Sequence, residues 1–174
     1  MSGNGNSESA QYLSFVLDNK VFAFDVLKTR EVLSYTKITE IPCTPAYVAG
    51  VLNLRGSVVT VMDFKTKFGM GDTVITPDSA IIIVEANYED EMVVVGALVD
   101  AVKGVLRFES GQIEATPRVG MKLSADLING IGKQNDDFVV ILNVDRVFSE
   151  DDLNLAKENQ EPAAYAPEAL IAEQ

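Results

Sequence analysis

The 174-residue sequence contains no histidine, no tryptophan and only one cysteine, Cys43. The lack of histidine excludes Ser-His-Asp and Cys-His catalysis and phosphohistidine chemistry, and it removes the usual zinc ligands. A single cysteine cannot form an intrachain disulfide, and we interpret Cys43 as filling a small-residue site. Gly69-Met70-Gly71 lacks the later glycine of a phosphate cradle. We therefore expect no cofactor and no metal, and most familiar enzyme mechanisms are excluded.

Long apolar runs and excess positive charge are also missing. No apolar run reaches the about 18 residues that a membrane-spanning helix needs, and residues 1–7 have neither a basic nor an apolar segment. The net charge of −12 opposes nucleic-acid phosphates and anionic lipids. From Glu150 onward seven carboxylates accompany one lysine, so a net −6 lies in the C-terminal part. We expect a soluble cytoplasmic protein without nucleic-acid binding or direct membrane insertion.

Nearly half of the residues, 47%, are hydrophobic, enough for one globular unit or two small subdomains. Most of them lie in short β-branched runs bounded by turn residues, which predict an all-β protein with short helices. The sequence 18–20 is predicted to form the turn of a hairpin between 12–17 and 21–26. Weak helical periodicity predicts one to three helical turns within 27–32, 64–68 and 144–155.

The two halves of the chain align with each other. The matching segments are 27–33 with 100–106, 41–45 with 113–117, 48–51 with 128–131, and 58–64 with 138–144. One insertion of eight residues in the second half accounts for the main change of offset. Four matches in one order predict two copies of one unit, separated within 69–77.

Each copy offers about five short strands, enough for a small barrel without long bare edges. We therefore predict subdomain 1 over about 11–72 and subdomain 2 over about 78–150, packed together, with a partner docking in the groove between them. We predict that residues 1–10 are disordered. The segment 151–174 should form a short capped helix followed by a disordered acidic tail, in which 169–172 is an alternative docking segment.

Positions that differ between the copies are candidates for function, because the shared positions hold the fold. Arg55 aligns with Asn135, and Glu31 aligns with Gly104. Arg55 could be a solvated turn charge and Glu31 a surface acid on a short helix. Alternatively, the two pair across the surface, with the planar guanidinium facing the carboxylate, and present both groups to a partner.

Several of these motifs together resemble the CheW coupling proteins of bacterial chemotaxis. The motifs are Leu27-Lys28, Arg30-Glu31-Val32, Ile41-Pro42, Thr44-Pro45-Ala46-Tyr47-Val48, Gly50-Val51-Leu52-Asn53-Leu54-Arg55-Gly56 and Val61-Met62-Asp63-Phe64. The likeness covers about residues 10–150. It implies two SH3-like, five-stranded β-barrels and a non-enzymatic adaptor.

The resemblance implies that the adaptor couples the cytoplasmic tips of chemoreceptors to the regulatory domain of the histidine kinase CheA. Such a protein is cytoplasmic and is recruited to membrane-associated receptor arrays. The partner-binding residues implied by the motif match are Val26, Thr29, Glu31, Gly50, Asn53, Arg55, Gly56, Val102 and Val105. Among them, Val26, Val102 and Val105 are expected to line the groove. Thr29 occupies a position at which the family often has an apolar β-branched residue.

Other functions remain as alternatives. The kinase itself and the coupling-receiver fusion CheV contain a similar module, but the chain lacks histidine and room for a receiver of roughly 120 residues. An enzyme with a carboxylate-only site in the groove is one alternative, although Asp25, Asp63 and Asp100 lie outside aspartic-protease motifs. A generic SH3-like peptide-binding module is the other, and the lack of tryptophan disfavours a proline-peptide groove.

Overall fold

The computed structural model describes residues 9–115 and 124–160, which form eleven strands and a few short helices. The strands are β1 (Ser9–Leu17), β2 (Lys20–Asp25), β3 (Thr29–Ser34), β4 (Val48–Leu54), β5 (Ser57–Asp63), β6 (Ala80–Tyr88), β7 (Glu91–Val99), β8 (Ala101–Glu109), β9 (Ile113–Glu114), β10 (Ile128–Gln134) and β11 (Asp137–Leu142). The α-helices are α1 (Phe64–Lys67), α2 (Val144–Val147) and α3 (Glu150–Gln160), and single 3-10 turns cover Val26–Lys28, Ser110–Gln112 and Ala125–Leu127.

The strands form two sheets, one in the order β8-β1-β2-β11-β10-β9 and the other in the order β3-β6-β7-β5-β4. The predicted all-β class with two β subdomains is confirmed, and the first sheet gains a sixth strand from the two-residue β9. Each sheet contains strands from both halves of the chain. The predicted division into 11–72 and 78–150 is therefore wrong, because the N-terminal hairpin of each half joins the sheet of the other half.

Two parallel strand pairs accomplish this exchange. Strand β2 lies parallel to β11, with Ala23 opposite Ile141, and β7 lies parallel to β5, with Gly96 opposite Val61. Only antiparallel strands can be joined by a tight turn, so a parallel neighbour must come from a distant part of the sequence. The exchange makes the two subdomains interdependent.

The internal repeat is confirmed by the strand register. Gly50 lies opposite Val61 beside an irregularity in the β4–β5 ladder, and Gly130 lies opposite Ile141 beside the same irregularity in β10–β11. Both glycines are buried. The equivalent positions predicted from the alignment of the two halves therefore have the same environment in the two sheets.

Each sheet encloses a small apolar cluster, and a larger core lies between the sheets. At the centre of this larger core, Phe24 of β2 contacts Phe64 of α1 edge-on, with ring centroids 5.8 Å apart. Phe64 also lies 5.6 Å from Phe148, which follows α2. Aromatic pairs at these separations add to the area that they bury, so residues from both halves hold the sheets together.

Two-residue turns with positive φ values connect the strands of several hairpins. Asp18-Asn19 and Glu89-Asp90 have positive φ at both central positions, the conformation of two-residue type I′ turns. The predicted hairpin turn at 18–20 is confirmed, with Lys20 already in β2. Arg55-Gly56 forms the equivalent turn between β4 and β5.

Several local predictions need correction. The segment 27–32 is a single 3-10 turn followed by β3, because β3 pairs with β6 along its length, so Glu31 lies on a strand and not on a helix. The segment 144–155 divides into α2 and α3, whereas α1 agrees with the helical turn predicted at 64–68. Cys43 is exposed with a φ of 64°, so it does not fill a packed site.

The chain ends also differ in part from the prediction. Ser9 and Ala10 are not disordered, because they belong to β1 and lie opposite Glu109 and Phe108. The predicted disorder of residues 1–8 and from residue 161 onward lies outside the described residues. Across 9–115 and 124–160, no helix is long and apolar enough to cross a membrane.

Candidate partner-binding site

Arg55 of the predicted site lies in the turn between β4 and β5. Asn53 closes the turn by accepting a hydrogen bond from the Gly56 N–H through its Oδ1 atom, at 2.9 Å. Arg55 has a φ of 51°, a left-handed conformation in which glycine, asparagine and aspartate are the common residues. Its side chain is 69% exposed. The strands therefore hold the backbone of Arg55 while its guanidinium faces solvent.

Glu31 meets Arg55 although β3 and β4 stand at opposite ends of the strand order of this sheet, so the contact joins its two edges. Glu31 lies on β3 opposite Ile83, next to an irregularity in the β3–β6 ladder. Arg55 donates from Nη1 to Oε1 of Glu31 at 3.3 Å, and from Nη2 to Oε2 in a closer contact. The predicted pairing of the planar guanidinium with the carboxylate is confirmed, although Glu31 approaches from a strand.

The ion pair keeps both groups charged. The hydrogen bond from Arg55 lowers the pKa of Glu31 below its usual 4.5, with the positive charges of Arg55 and Arg30 acting in the same direction. The reciprocal hydrogen bond raises the pKa of the Arg55 guanidinium. Together they offer a partner one carboxylate and a fork of donors, since a guanidinium has five N–H groups and the pair uses two.

Gly50 does not belong to the exposed surface, which corrects its assignment as a partner-binding residue. It is buried, with a φ of 143°, and a Cβ atom built there would lie 2.1 Å from the carbonyl oxygen of Thr39. Thr39 and Val51 exchange two backbone hydrogen bonds of 2.8 Å beside it. Only glycine allows the chain at 39 to approach β4 so closely, so Gly50 supports the Arg55 turn from within the fold.

The hydroxyl of Thr29 explains why a polar residue is accommodated at that position. Its Oγ1 donates to the carbonyl oxygen of Asp25 at 3.1 Å and closes the 3-10 turn that precedes β3. Asp25 caps the same turn by accepting a hydrogen bond from the Leu27 N–H at 2.9 Å. The polar group of Thr29 thus has an intramolecular partner, and its methyl group remains for contacts.

The three valines predicted to line the groove are not equivalent. Val26 and Val102 are half-buried against the central core, whereas Val105 is 55% exposed on the edge strand β8. A cavity of about 420 Å³ is lined by Val26 together with Leu27 and Arg107, and neither Val102 nor Val105 lines it. The structure therefore brings Glu31, Asn53, Arg55 and Gly56 together and leaves Val105 on another face.

The predicted partner-binding residues do not include Leu27, whose side chain is among the most exposed apolar groups of the described residues. Leu27 lies in the 3-10 turn next to Val26, so its exposure follows from the turn and not from any periodic pattern. Exposed large apolar side chains are candidates for contact with a partner. The resemblance had already included Leu27 among its motif residues, and that was the signal available.

Sequence reasoning also missed a buried ionic cluster between α3 and α1. Asp152 of α3 is 2% exposed and accepts hydrogen bonds from the Tyr47 hydroxyl and from Lys67 Nζ, both at 2.5 Å. It also accepts from the Ser149 N–H at 3.0 Å, while the Ser149 hydroxyl accepts from the Asp152 N–H. The Ser149–Asp152 exchange is the helix cap that the sequence predicted, but its link to Lys67 is visible only in three dimensions.

The pKa values in this cluster reflect the same contacts. Burial acts to raise the pKa of Asp152, but the hydrogen bonds from Lys67, Tyr47 and Ser149 outweigh it and lower the pKa below 3.8. Burial, followed by the hydrogen bond to Asp152, raises the pKa of Tyr47 to about 12. The cluster therefore holds a carboxylate, an ammonium and a neutral phenol that join α3 and α1 to the chain before β4.

The carboxylates considered for an enzyme all have structural roles. Asp25 caps the turn before β3, and Asp63 accepts from the Thr66 N–H at 3.2 Å as the cap of α1. Asp100 accepts from the Asp18 N–H at 2.9 Å. Among the described residues, no group of three or more carboxylates or cysteines could hold a metal ion.

Comparison with known proteins gives one consistent result. The family model of the CheW-like domain matches residues 11–152. The chain is 32% identical over 143 residues to the chemotaxis protein CheW of Thermotoga maritima, with 80% of this chain and 88% of that protein covered. It is 30% identical over 146 residues to the chemotaxis protein CheW of Helicobacter pylori, with 84% and 86% covered.

The fold comparison agrees with the sequence comparison. The crystal structure of the scaffolding protein TtCheW from Thermoanaerobacter tengcongensis superposes with a TM-score of 0.72 at 32% identity. The match covers 80% of this chain and 92% of that one. The repeated two-sheet fold, the Arg55 turn and these matches together lead to one conclusion: the chain belongs to the CheW-like family of chemotaxis scaffold proteins.

Proposed function

We propose that this protein is a non-enzymatic adaptor that couples the cytoplasmic tips of chemoreceptors to the regulatory domain of the histidine kinase CheA. Membership of the CheW-like family supports the adaptor role. The proposal also places the protein in the cytoplasm, recruited to membrane-associated receptor arrays. One observation carries the assignment of the site, namely the exposed Arg55–Glu31 pair on a turn that does not require arginine.

The second half of the chain provides the comparison for that observation. Asn135 occupies the position equivalent to Arg55 in the turn between β10 and β11, with a φ of 55°. Asparagine tolerates this left-handed conformation better than arginine does. The fold alone would therefore favour a residue such as asparagine at 55, and arginine fits a position selected for contact with a partner.

The chemistry of the pair suits a helical receptor tip. A guanidinium binds a carboxylate on a partner helix through two parallel hydrogen bonds, and arginine is common among residues that dominate binding energy. Leu27 and Val32 add exposed apolar surface on the turn before β3 and on β3 itself. A charged pair and exposed apolar groups on the same subdomain give the mixed composition expected of transient interfaces.

The first test is the substitution Arg55→Ala, measured as affinity for a soluble receptor-tip fragment. We expect about a 30-fold loss of affinity, since desolvated arginine anchors are typical hot spots. The melting temperature should change little, because the pair is exposed. Lys133→Ala, an exposed cation in β10 of the equivalent hairpin, is the matched control and should bind normally.

Glu31→Ala and the double variant complete the test. If the pair acts as a unit, the double variant loses less affinity than the sum of the two single losses. A folded Arg55→Ala variant with unchanged affinity for both receptor tip and kinase would remove Arg55 from the site.

The bridging role requires two separable faces. A complex of the protein with the kinase regulatory domain should still retain the receptor tip in a pull-down experiment. If saturation with the regulatory domain always abolished binding of the receptor tip, the adaptor model would fail.

A further inference from the structure

A second concave surface lies beside Arg55, on the side of the sheet where α3 ends. This tail groove, as we call it, has a volume of about 240 Å³, and its lining includes Arg30, Leu54, Arg55, Val58, Val94 and Gln160. The leucine and the valines are half-buried and form an apolar floor, while both arginines are exposed. The groove therefore combines an apolar floor with two exposed guanidinium groups, which suits a segment that carries both an apolar side chain and carboxylates.

Helix α3 is held against the fold up to its last residue, Gln160, which lines the groove. Leu153 and Ala156 of α3 are buried on the side of the helix that faces the core. Asn159 Nδ2 donates to Thr60 Oγ1 at 2.7 Å, and Gln160 Oε1 accepts from the Val94 N–H at 3.0 Å. The chain that follows Gln160 thus starts at the rim of the tail groove. The family match ends at residue 152, so most of α3 and everything after it lie beyond the shared domain.

The sequence after Gln160 has the composition that the groove suits. Residues 161–168 read Glu-Pro-Ala-Ala-Tyr-Ala-Pro-Glu, with Tyr165 between two glutamates. Five extended residues span up to about 17 Å, so Tyr165 can reach any part of a cavity of this size. Proline disfavours a helical conformation of the residue before it, so Pro162 and Pro167 reduce the entropy that this segment would lose on docking.

Both arginines retain N–H donors for further carboxylates. Arg30 uses Nε toward Glu85 at 3.4 Å, and Arg55 uses one hydrogen of each terminal nitrogen toward Glu31. Each guanidinium has five N–H donors, so donors remain for a second carboxylate. In the sequence, Glu161 stands four residues before Tyr165 and Glu168 three residues after it, so one carboxylate is available on each side of the tyrosine.

We propose that residues 161–168 dock in the tail groove, with Tyr165 on the apolar floor and the two glutamates at Arg30 and Arg55. The docked segment covers one side of the Arg55 guanidinium and competes with a partner for it. The competition rests on the proposed function of Arg55, whereas the docking itself does not. The tail is then an intramolecular regulator of the adaptor.

Docking is tested without any partner, by amide NMR of the full chain, of a variant ending at Gln160 and of Tyr165→Ala. We expect the Val58 and Val94 amide signals to shift in the same direction in both variants. Leu170→Ala is the matched control and should leave both signals in place. Unchanged signals in Tyr165→Ala, or shifts in Leu170→Ala alone, would overturn the assignment of Tyr165 to the groove.

Competition is tested with the same proteins and a soluble receptor-tip fragment. A tethered segment acts at an effective concentration in the millimolar range, and partial occupancy lowers the apparent affinity in proportion. We therefore expect the variant ending at Gln160 to bind about 2- to 5-fold more tightly, and Tyr165→Ala to match it. Equal receptor affinity with and without the tail would overturn the competition. If none of these proteins, the full chain included, bound the receptor tip while the expected NMR shifts were still observed, the proposed function would be refuted and the docking would stand.

Discussion

Replacement of Asp152 by alanine tests how the buried ionic cluster holds α3 and α1 to the rest of the fold. Asp152 is 2% exposed and accepts hydrogen bonds from Lys67, from the Tyr47 hydroxyl and from the Ser149 N–H. The Lys67 side chain is itself only 12% exposed. The variant leaves the Lys67 ammonium nearly buried without its carboxylate and removes a helix cap. Breaking a buried ion pair from one side costs about 3–5 kcal/mol.

The structure places the expected loss at the lower end of this range. Lys67 keeps an edge to solvent and lies over the Tyr47 ring, with Nζ 4.2 Å from the centroid, so the charge is not wholly uncompensated. We expect about 3 kcal/mol. In a protein of this size 1 kcal/mol lowers the melting temperature by about 2–4 °C, so the decrease should be about 6–12 °C.

Thermal unfolding followed by circular dichroism measures this loss. Lys157→Ala is the matched control on the same helix, because its ion pair with Glu91 is more exposed and should contribute at most about 1 kcal/mol. The double variant Asp152→Leu, Lys67→Met should recover the part of the loss that comes from the unpaired Lys67 charge, since it buries neither charge, while the helix cap and the Tyr47 hydrogen bond stay lost. A decrease for Asp152→Ala no larger than that for Lys157→Ala would refute this account of the cluster.

Two further predictions concern the same region. Gly50→Ala should prevent folding or strongly lower the yield of soluble protein, because its Cβ would overlap the Thr39 carbonyl. Gly56→Ala meets no atom within 4 Å, so only the backbone strain of its φ of 90° opposes it, and it should remain folded by circular dichroism. The pKa of Tyr47 is raised from 10.0 to about 12, so its contribution to stability is complete below pH 10 and is lost as the pH rises toward 12. Denaturant titrations should therefore show a steeper loss of unfolding free energy between pH 10 and 12 for the parent than for Tyr47→Phe, and parallel curves would contradict the raised pKa of the Tyr47 phenol.

Local chemistry explains which parts of the structure were predictable from the sequence. Hairpin turns depend on two residues and their φ values, so Asp18-Asn19 was sufficient to place β1 and β2. The equivalence of Gly50 and Gly130 followed from aligned glycines, because both positions exclude a side chain. The difference between Arg55 and Asn135 also pointed to the ion pair, since a residue that the fold does not need stands out between two copies of one unit.

The sequence by itself therefore determined the all-β class, the repeat and the candidate pair of Arg55 and Glu31. Only the tertiary structure decided that the hairpins are exchanged between the sheets, because parallel pairing joins strands that no local signal connects. It also decided that Glu31 lies on a strand, since pairing with β6 outweighs a weak helical pattern over six residues. The burial of Asp152 was decided there too, because its partner Lys67 lies 85 residues away in the chain.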